Sequence, residues 1–175
     1  MKKYEENRHL IRTGDVGLMV GKSLLSKSIQ YFDNTKFNHV LIIFESFGRK
    51  FVVDSNAPGV HPEFLSSRMN KYIDFRILRP KRPEGKIISA LKLLLTPENP
   101  IEYDFQLLLR IGIIRKTGLN LTGLGSKEKD ICSEYFRKYS DILEMKEYNY
   151  EKLPLITPGD IDRYLNPENM EIIIR

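Results

Sequence analysis

The sequence predicts an α+β domain with an early group of strands and a later group of helices. Runs rich in β-branched and aromatic residues, bounded by turn residues, predict four strands within TGDVGLMV (13–20), FNHVLIIFES (37–46), FVVDS (51–55) and YIDFRILRP (72–80). Helical spacing of apolar residues predicts helices mainly in the second half, from residue 83 onward. Because the two kinds of element segregate along the chain, regular βαβ units are not indicated.

The first half predicts a turn and buried strand, one helix and a hairpin. The helix falls within GKSLLSKSIQYFDN (21–34), where Leu24, Leu25, Ile29 and Phe32 recur at helical spacing. The turn SFGRK joins 37–46 to the return strand 51–55. APGVHPEF (57–64) is rich in Pro and Gly and predicts a loop, and strand 72–80 ends at Pro80.

The second half predicts four helices. PEGKIISALKLLL (83–95) has Pro and Glu in its first turn, and YDFQLLLRIGIIRKTG (103–118) ends at Gly118. DICSEYFRKYSDIL (130–143) begins with Asp130, a residue type that caps helices, and TPGDIDRYL (157–165) predicts a short closing helix.

Length and composition predict one domain over residues 1–175, with residues 1–12 as a mobile segment. The 175 residues are 41% hydrophobic and 29% charged, which is ordinary for a globular protein. The single cysteine forms no internal disulfide, which fits a reducing compartment. With neither a secretory signal nor a bilayer-length apolar run, the expected location is the cytoplasm.

Two broad function classes are disfavoured by the pattern of residues. The net charge is +5, but Lys and Arg are interleaved with acids along the chain, so nucleic acid is not an expected partner. GLMVGKS (17–23) ends like a phosphate-binding loop, but only three residues separate Gly17 from Gly21 where that loop requires four. We therefore expect no nucleotide site.

Three residues together indicate nucleophilic catalysis. His39 begins an apolar strand, and Asp54 interrupts the apolar FVVD of the return strand, so the hairpin can place them side by side. A carboxylate near a buried sheet face needs a partner, so a nearby His or Arg is expected. Cys132 lies at the start of a predicted helix, where the dipole and free N–H groups favour a thiolate and can stabilise an oxyanion. His61, expected in a solvated loop, is an alternative base.

The order of these motifs resembles the circularly permuted papain-like hydrolases of the NlpC superfamily, in particular the YaeF/YiiX-like group. The matching stretches are TGDVGLMV, NHVLIIFE, FVVDSNAPGVHPEF, YDFQLLL, ICSEYFRK and TPGDI, which span about residues 13–161. The resemblance implies an antiparallel sheet packed against helices, with a catalytic Cys at a helix N-terminus.

Carried over by position, the resemblance implies Cys132 as nucleophile, His39 as general base and Asp54 as the residue that orients the imidazole. Glu45 is a rival third residue because the hairpin is longer than in the related lecithin retinol acyltransferase group, and Tyr103 is a possible substrate contact. Ile131 stands where a Tyr often precedes the Cys, which bears on substrate fit.

The implied activity is attack on an amide, ester or thioester through an acyl-enzyme, by a hydrolase or an acyltransferase. It needs neither cofactor nor metal, and the expected substrate is a peptide or an acylated small molecule or lipid. The alternative is a non-catalytic module in which DFQLLLRIGIIRK (104–116) docks on a membrane or a partner and Cys132 is an inert core thiol. Membrane docking by this segment is possible, but an ordinary core helix is favoured.

Overall fold

The computed structural model describes residues 2–56, 59–96, 102–118, 129–145, 156–165 and 167–175. Its strands are β1 (Val16–Gly21), β2 (His39–Ser46), β3 (Arg49–Asn56), β4 (Gly59–Phe64), β5 (Tyr72–Pro80), β6 (Glu102–Tyr103), β7 (Lys129–Asp130) and β8 (Met170–Ile174). Its α-helices are α1 (Lys2–Asn7), α2 (Leu24–Asp33), α3 (Leu65–Met69), α4 (Glu84–Leu95), α5 (Phe105–Thr117), α6 (Cys132–Ile142) and α7 (Pro158–Arg163).

Six strands form one antiparallel sheet in the order β4-β3-β2-β1-β5-β8. The central strand β1 pairs with β2 on one side and with β5 on the other, and β6 and β7 form a separate parallel pair. Strands β2, β3 and β4 follow one another as a meander, so consecutive turns bring residues 39–64 into neighbouring rows of the sheet.

Side chains of the central strands alternate between two buried layers. Val40 and Ile42 of β2 pack in one core with Tyr135 and Tyr139 of α6. Leu41 and its odd-numbered neighbours pack in the other core, which includes Tyr4 of α1 and Leu65 and Met69 of α3. Because both faces are covered, β2 begins as an uninterrupted apolar run after His39 rather than as an alternating one.

Helix α6 is fixed on the sheet by buried tyrosines. The hydroxyl of Tyr139 donates to the carbonyl of Gly14, and that of Tyr135 donates to the carbonyl of Leu94, both over 2.9 Å. Gly14 has a φ of +90°, and a Cβ there would lie 2.3 Å from the side chain of Ile87. A glycine is therefore required where α4, α6 and the start of β1 meet.

Most of the predicted elements are confirmed, including helices at 24–33, 84–95, 105–117 and 158–163. The loop predicted at 57–64 is wrong over its described part, because Gly59–Phe64 is the edge strand β4, with Pro62 opposite Val53. An edge strand tolerates Pro because one side of its backbone needs no partner in the sheet. Residues 57 and 58 lie outside the described residues.

The prediction that Asp130 caps α6 is also wrong. The N-cap is Ile131, which makes no side-chain capping bond, and Asp130 lies in β7. Helices α1 and α3 and strand β8 were not predicted. Within the described residues, no helix combines the length and apolar character that crossing a bilayer requires.

Candidate active site

His39 and Asp54 form a buried pair on adjacent strands. His39 is the first residue of β2 and is 8% exposed, whereas Asp54 on β3 is 1% exposed. Nε2 of His39 is hydrogen-bonded to Oδ2 of Asp54. Since Asp54 occupies Nε2, the imidazole nitrogen left for proton exchange with a thiol or a substrate is Nδ1.

Asp54 is held from its other side by Arg68 of α3. The guanidinium of Arg68 donates to the same Oδ2 of Asp54, and its Nη1 donates to Glu63 over 3.0 Å. Arg68 is 6% exposed, so the positive charge lies in a site of low polarity where it interacts strongly with the carboxylate. A His or Arg near this acid was predicted, but nothing in the sequence connects residue 54 with residue 68.

Tyr72 lies against the imidazole. Its ring stacks on that of His39, with centroids 5.9 Å apart and an angle of 17° between the planes. Burial raises the pKa of the Tyr72 hydroxyl, although His39 and Arg68 act in the opposite direction. Tyr72 begins β5, and its apolar, alternating context was interpreted only as strand, so the sequence carried no separate signal for this contact.

The site favours a protonated imidazole beside an ionised acid. Burial lowers the pKa of His39, but the interactions with Tyr72, Cys132 and Asp54 outweigh it, so the pKa lies well above 6.5. Burial raises the pKa of Asp54, but His39 and Arg68 more than compensate, and the pKa falls below 3.8. A protonated His39 can donate a proton to a leaving group.

Cys132 is the first residue of α6, and its interaction with His39 is one of the influences that raise the pKa of the imidazole. The thiol is 6% exposed and lines a cavity of about 300 Å³. The first backbone N–H groups of a helix have no intrahelical acceptor, so those beside Cys132 are suited to an oxyanion.

The cavity beside Cys132 is mainly apolar. Side chains of α2, of α5 and of the start of α7 line it, among them Leu25, Ile29, Phe32, Ile111, Ile113 and Pro158. Ser133 also lines it, is 0% exposed, and its Oγ has no hydrogen-bond partner among the described residues. The segment 104–116, the docking element of the alternative prediction, thus falls largely in α5, a wall of this cavity.

The other predicted residues lie elsewhere or outside the description. Glu45 is exposed near the far end of β2, where it pairs with Lys50 over 2.9 Å, so the structure does not bring it to His39. Tyr103 lies in β6, but its side chain lies outside the described residues. His61 is not in a solvated loop as predicted; it is half-buried in β4, opposite Asp54 in the strand register.

No protein-family model matches the chain, and no curated protein matches it. A solved structure does match, the metalloprotein YiiX from Escherichia coli O157:H7, at 18% identity and a TM-score of 0.53. The match covers 93% of this chain and 88% of YiiX. The fold is YiiX-like. The predicted α+β, papain-like architecture of the YiiX-like group is confirmed at this level, and at 18% identity the likeness extends to fold alone.

The description of YiiX as a metalloprotein applies to that protein. Among the residues described for this chain, no group of three or more His, Cys, Asp or Glu side chains is arranged to hold a metal ion. Oδ2 of Asp54 is instead shared by His39 and Arg68.

Proposed function

We propose that this YiiX-like protein is a cysteine hydrolase or acyltransferase with Cys132 as nucleophile. The observation that carries the proposal is the buried, hydrogen-bonded pair of His39 and Asp54. Cys132, at the first position of α6, is one of the groups that raise the pKa of the imidazole. An activated thiol, a base and an orienting acid are the three parts that covalent acyl transfer requires.

In the proposed reaction the thiolate of Cys132 attacks the carbonyl carbon of an amide, ester or thioester. The negative charge on the carbonyl oxygen is stabilised by N–H groups at the start of α6. Protonated His39 donates its Nδ1 proton to the leaving nitrogen, oxygen or sulfur as its bond to carbon breaks, which leaves a thioester on Cys132. Water, or the hydroxyl or amine of an acceptor, then gives a proton to His39 and attacks the thioester, which releases the acyl group and restores the thiolate and the protonated imidazole.

The cavity supports an apolar acyl group as the substrate part that binds beside Cys132. Its volume of about 300 Å³ falls at the lower end of the range for ligand sites, and aliphatic and aromatic side chains form most of its lining. Among the expected substrates, an acylated small molecule or lipid therefore fits better than a polar cell-wall peptide.

The first test is the rate at which iodoacetamide alkylates the thiol at pH 7.5, followed by mass spectrometry. The chain has one cysteine, so every modified molecule reports on Cys132. We expect His39→Ala to slow alkylation at least tenfold, because the thiolate loses its cationic partner. The control is His9→Ala, which changes an exposed histidine and should leave the rate unchanged. Equal rates in all three proteins would contradict the proposal.

The second test is hydrolysis of p-nitrophenyl esters of increasing acyl length. Each added methylene that enters the cavity should raise kcat/KM by about fourfold, since burying one CH₂ is worth about 0.8 kcal/mol. Cys132→Ala should abolish the reaction at every length. A kcat/KM that is independent of acyl length would show that the cavity does not bind the acyl group. The proposal of acyl transfer by Cys132 would stand without it.

A further inference from the structure

Helix α2 has two polar side chains turned inward and most of its large apolar side chains turned outward. Ser26 and Asp33 are buried, at 8% and 4% exposure. The large apolar residues of the same helix are exposed, with Leu24 at 84%, Leu25 at 45%, Tyr31 at 68% and Phe32 at 39%. A surface helix of a globular protein normally has the reverse arrangement, and a clustered apolar surface marks a site of interaction.

Specific hydrogen bonds fix this orientation. Ser26 Oγ accepts from Nδ2 of Asn38 over 3.0 Å, and Nε2 of Gln30 donates to the carbonyl of Lys36 over 2.9 Å. Asp33 accepts from Nη2 of Arg163 over 2.8 Å. Rotating α2 to bury its apolar face would break these hydrogen bonds. The free energy lost by leaving the polar groups without partners would then oppose the gain from burying the leucines.

The charges around this face are positive. Lys22 and Lys27 are exposed beside it, and Nζ of Lys116, from α5, lies 3.7 Å from the ring centre of Tyr31. Helices α2 and α5 contain one acidic residue, Asp33, and Arg163 neutralises it. An apolar face bordered by lysines and carrying an aromatic ring has the composition of a helix that binds at an anionic lipid interface.

The face also borders the cavity that reaches the thiol. Leu25 and Phe32 are partly exposed on α2 and at the same time line the cavity with Cys132. We propose that α2 docks on the surface of an anionic bilayer, so that an acyl chain passes from the lipid into this cavity; the inference rests on the proposed function. A protein partner is less suited to it, because one convex helix of 10 residues offers little of the area that a stable protein interface buries.

The test is sedimentation of the full chain carrying Cys132→Ser with vesicles of pure phosphatidylcholine or with 30% phosphatidylglycerol. We expect the protein to bind the anionic vesicles. Its affinity for pure phosphatidylcholine vesicles should be lower by a factor of about ten or more. The variant Leu24→Ser/Lys27→Glu should bind the anionic vesicles at least about tenfold more weakly. The control Lys92→Glu/Leu93→Ser makes the same changes at exposed positions of α4, outside the cavity, and should bind like the parent.

The docking proposal would be overturned if the parent bound no vesicles. It would also be overturned if the α2 variant and its α4 control lost equal amounts of vesicle binding. Light scattering tests a third outcome. If the parent is a dimer and only Leu24→Ser/Lys27→Glu abolishes that dimer, the face of α2 binds a second copy of this chain and not a bilayer. Hydrolysis of a soluble short-chain ester, measured with Cys132 intact, separates this proposal from the proposed function. The α2 variant should hydrolyse this ester as fast as the parent does. If the parent itself does not hydrolyse it, the proposed function is wrong, whatever the vesicle measurements show.

Discussion

The hydroxyl of Ser133 is buried beside Cys132, and among the described residues it has no hydrogen-bond partner. A buried hydroxyl without a partner destabilises a fold, by about 1–3 kcal/mol. Its place on the cavity wall suits it to donate to the carbonyl or leaving-group oxygen of a bound substrate.

Ser133→Ala is therefore expected to separate stability from activity. The free energy of unfolding should stay the same or rise by up to about 1 kcal/mol, while kcat/KM falls about tenfold. Urea unfolding and ester hydrolysis measure the two quantities. The matched control is Ser140→Ala in the same helix, where the hydroxyl donates to the carbonyl of Met145 and should not affect catalysis. A less stable Ser133→Ala with full activity would show that the hydroxyl serves the fold.

Asp54→Asn is expected to change the pH dependence of the reaction as well as its rate. The carboxylate is one of the groups that raise the pKa of His39, so its removal lowers that pKa. Proton donation to the leaving group is lost as the pH rises through the pKa of His39, and the basic limb of kcat/KM should therefore move to lower pH in the variant. The rate at the optimum should fall by up to about 10⁴-fold, the loss found when a triad acid is replaced by its amide.

Glu45→Gln is the control for this measurement, because Glu45 is on the same strand as His39 and was the rival third residue. Its carboxylate pairs with Lys50 at the surface, so the basic limb should stay where it is in the wild type. A limb that moves with Glu45→Gln and not with Asp54→Asn would reverse the assignment of the two acids.

At the residue scale, sequence reasoning found the groups that interrupt an otherwise regular pattern. His39 and Asp54 are polar residues within apolar strands, and that conflict is visible locally; the structure pairs them, while their catalytic roles stay a proposal. Arg68 and Tyr72 are different, because an Arg in LSSRM and a Tyr at a strand start are unremarkable until the sheet brings them to Asp54 and His39. Only the three-dimensional fold brings Arg68 and Tyr72 into contact with the pair, so these contacts could not be predicted from the local sequence.

At the scale of elements, a buried ion pair joins β5 to the turn before β1. Nε and Nη2 of Arg79 donate to the two carboxylate oxygens of Asp15, each over 2.8 Å, and Asp15 is 0% exposed. Burial raises the pKa of Asp15, while Arg79 acts in the opposite direction. Asp15 also precedes the strand at the centre of the sheet, so this pair fixes where that strand begins.

Arg79→Met should destabilise the protein by about 3 kcal/mol at pH 7, because it leaves a buried carboxylate without its cation. The loss should be smaller at pH 4. The substitution raises the pKa of Asp15 further, so the unpaired carboxyl is neutral in the folded protein at that pH. Urea unfolding at the two pH values measures the difference. Lys81→Met, at an exposed position next to the end of β5, should change the free energy of unfolding by less than about 0.5 kcal/mol at either pH.

Strong periodicity and turn chemistry predicted the longer elements, whereas short ones depended on context. Strand β4 contains Gly59 and Pro62, and only its edge position makes it a strand. The N-terminus of α6 was placed near the correct residue, but Asp130 lies in β7 beside β6, which removes it from the cap. Local rules cannot anticipate a pairing between residues 103 and 130.

At the scale of the whole molecule, the order of motifs predicted the architecture better than any single motif did. Strands that come early and helices that come late predicted an α+β fold, and the likeness to YiiX confirms it. The exposed apolar face of α2 could not be predicted in this way. Leu24, Leu25, Ile29 and Phe32 at helical spacing are as typical of a core-facing helix, and only the inward hydrogen bonds of Ser26 and Asp33 reverse the orientation.

The meander of β2, β3 and β4 has a consequence for biosynthesis. His39, Asp54, Arg68 and Tyr72 all belong to one stretch of 39–72 in the first half of the chain, so the contacts among them close short loops. Short loop closures are fast, and we expect this half to assemble on the ribosome while the segment with the sulfur is still inside the exit tunnel. A nascent chain would then hold the base and the acid of the proposed reaction without its nucleophile, and a molecule truncated before α6 would lack the proposed activity.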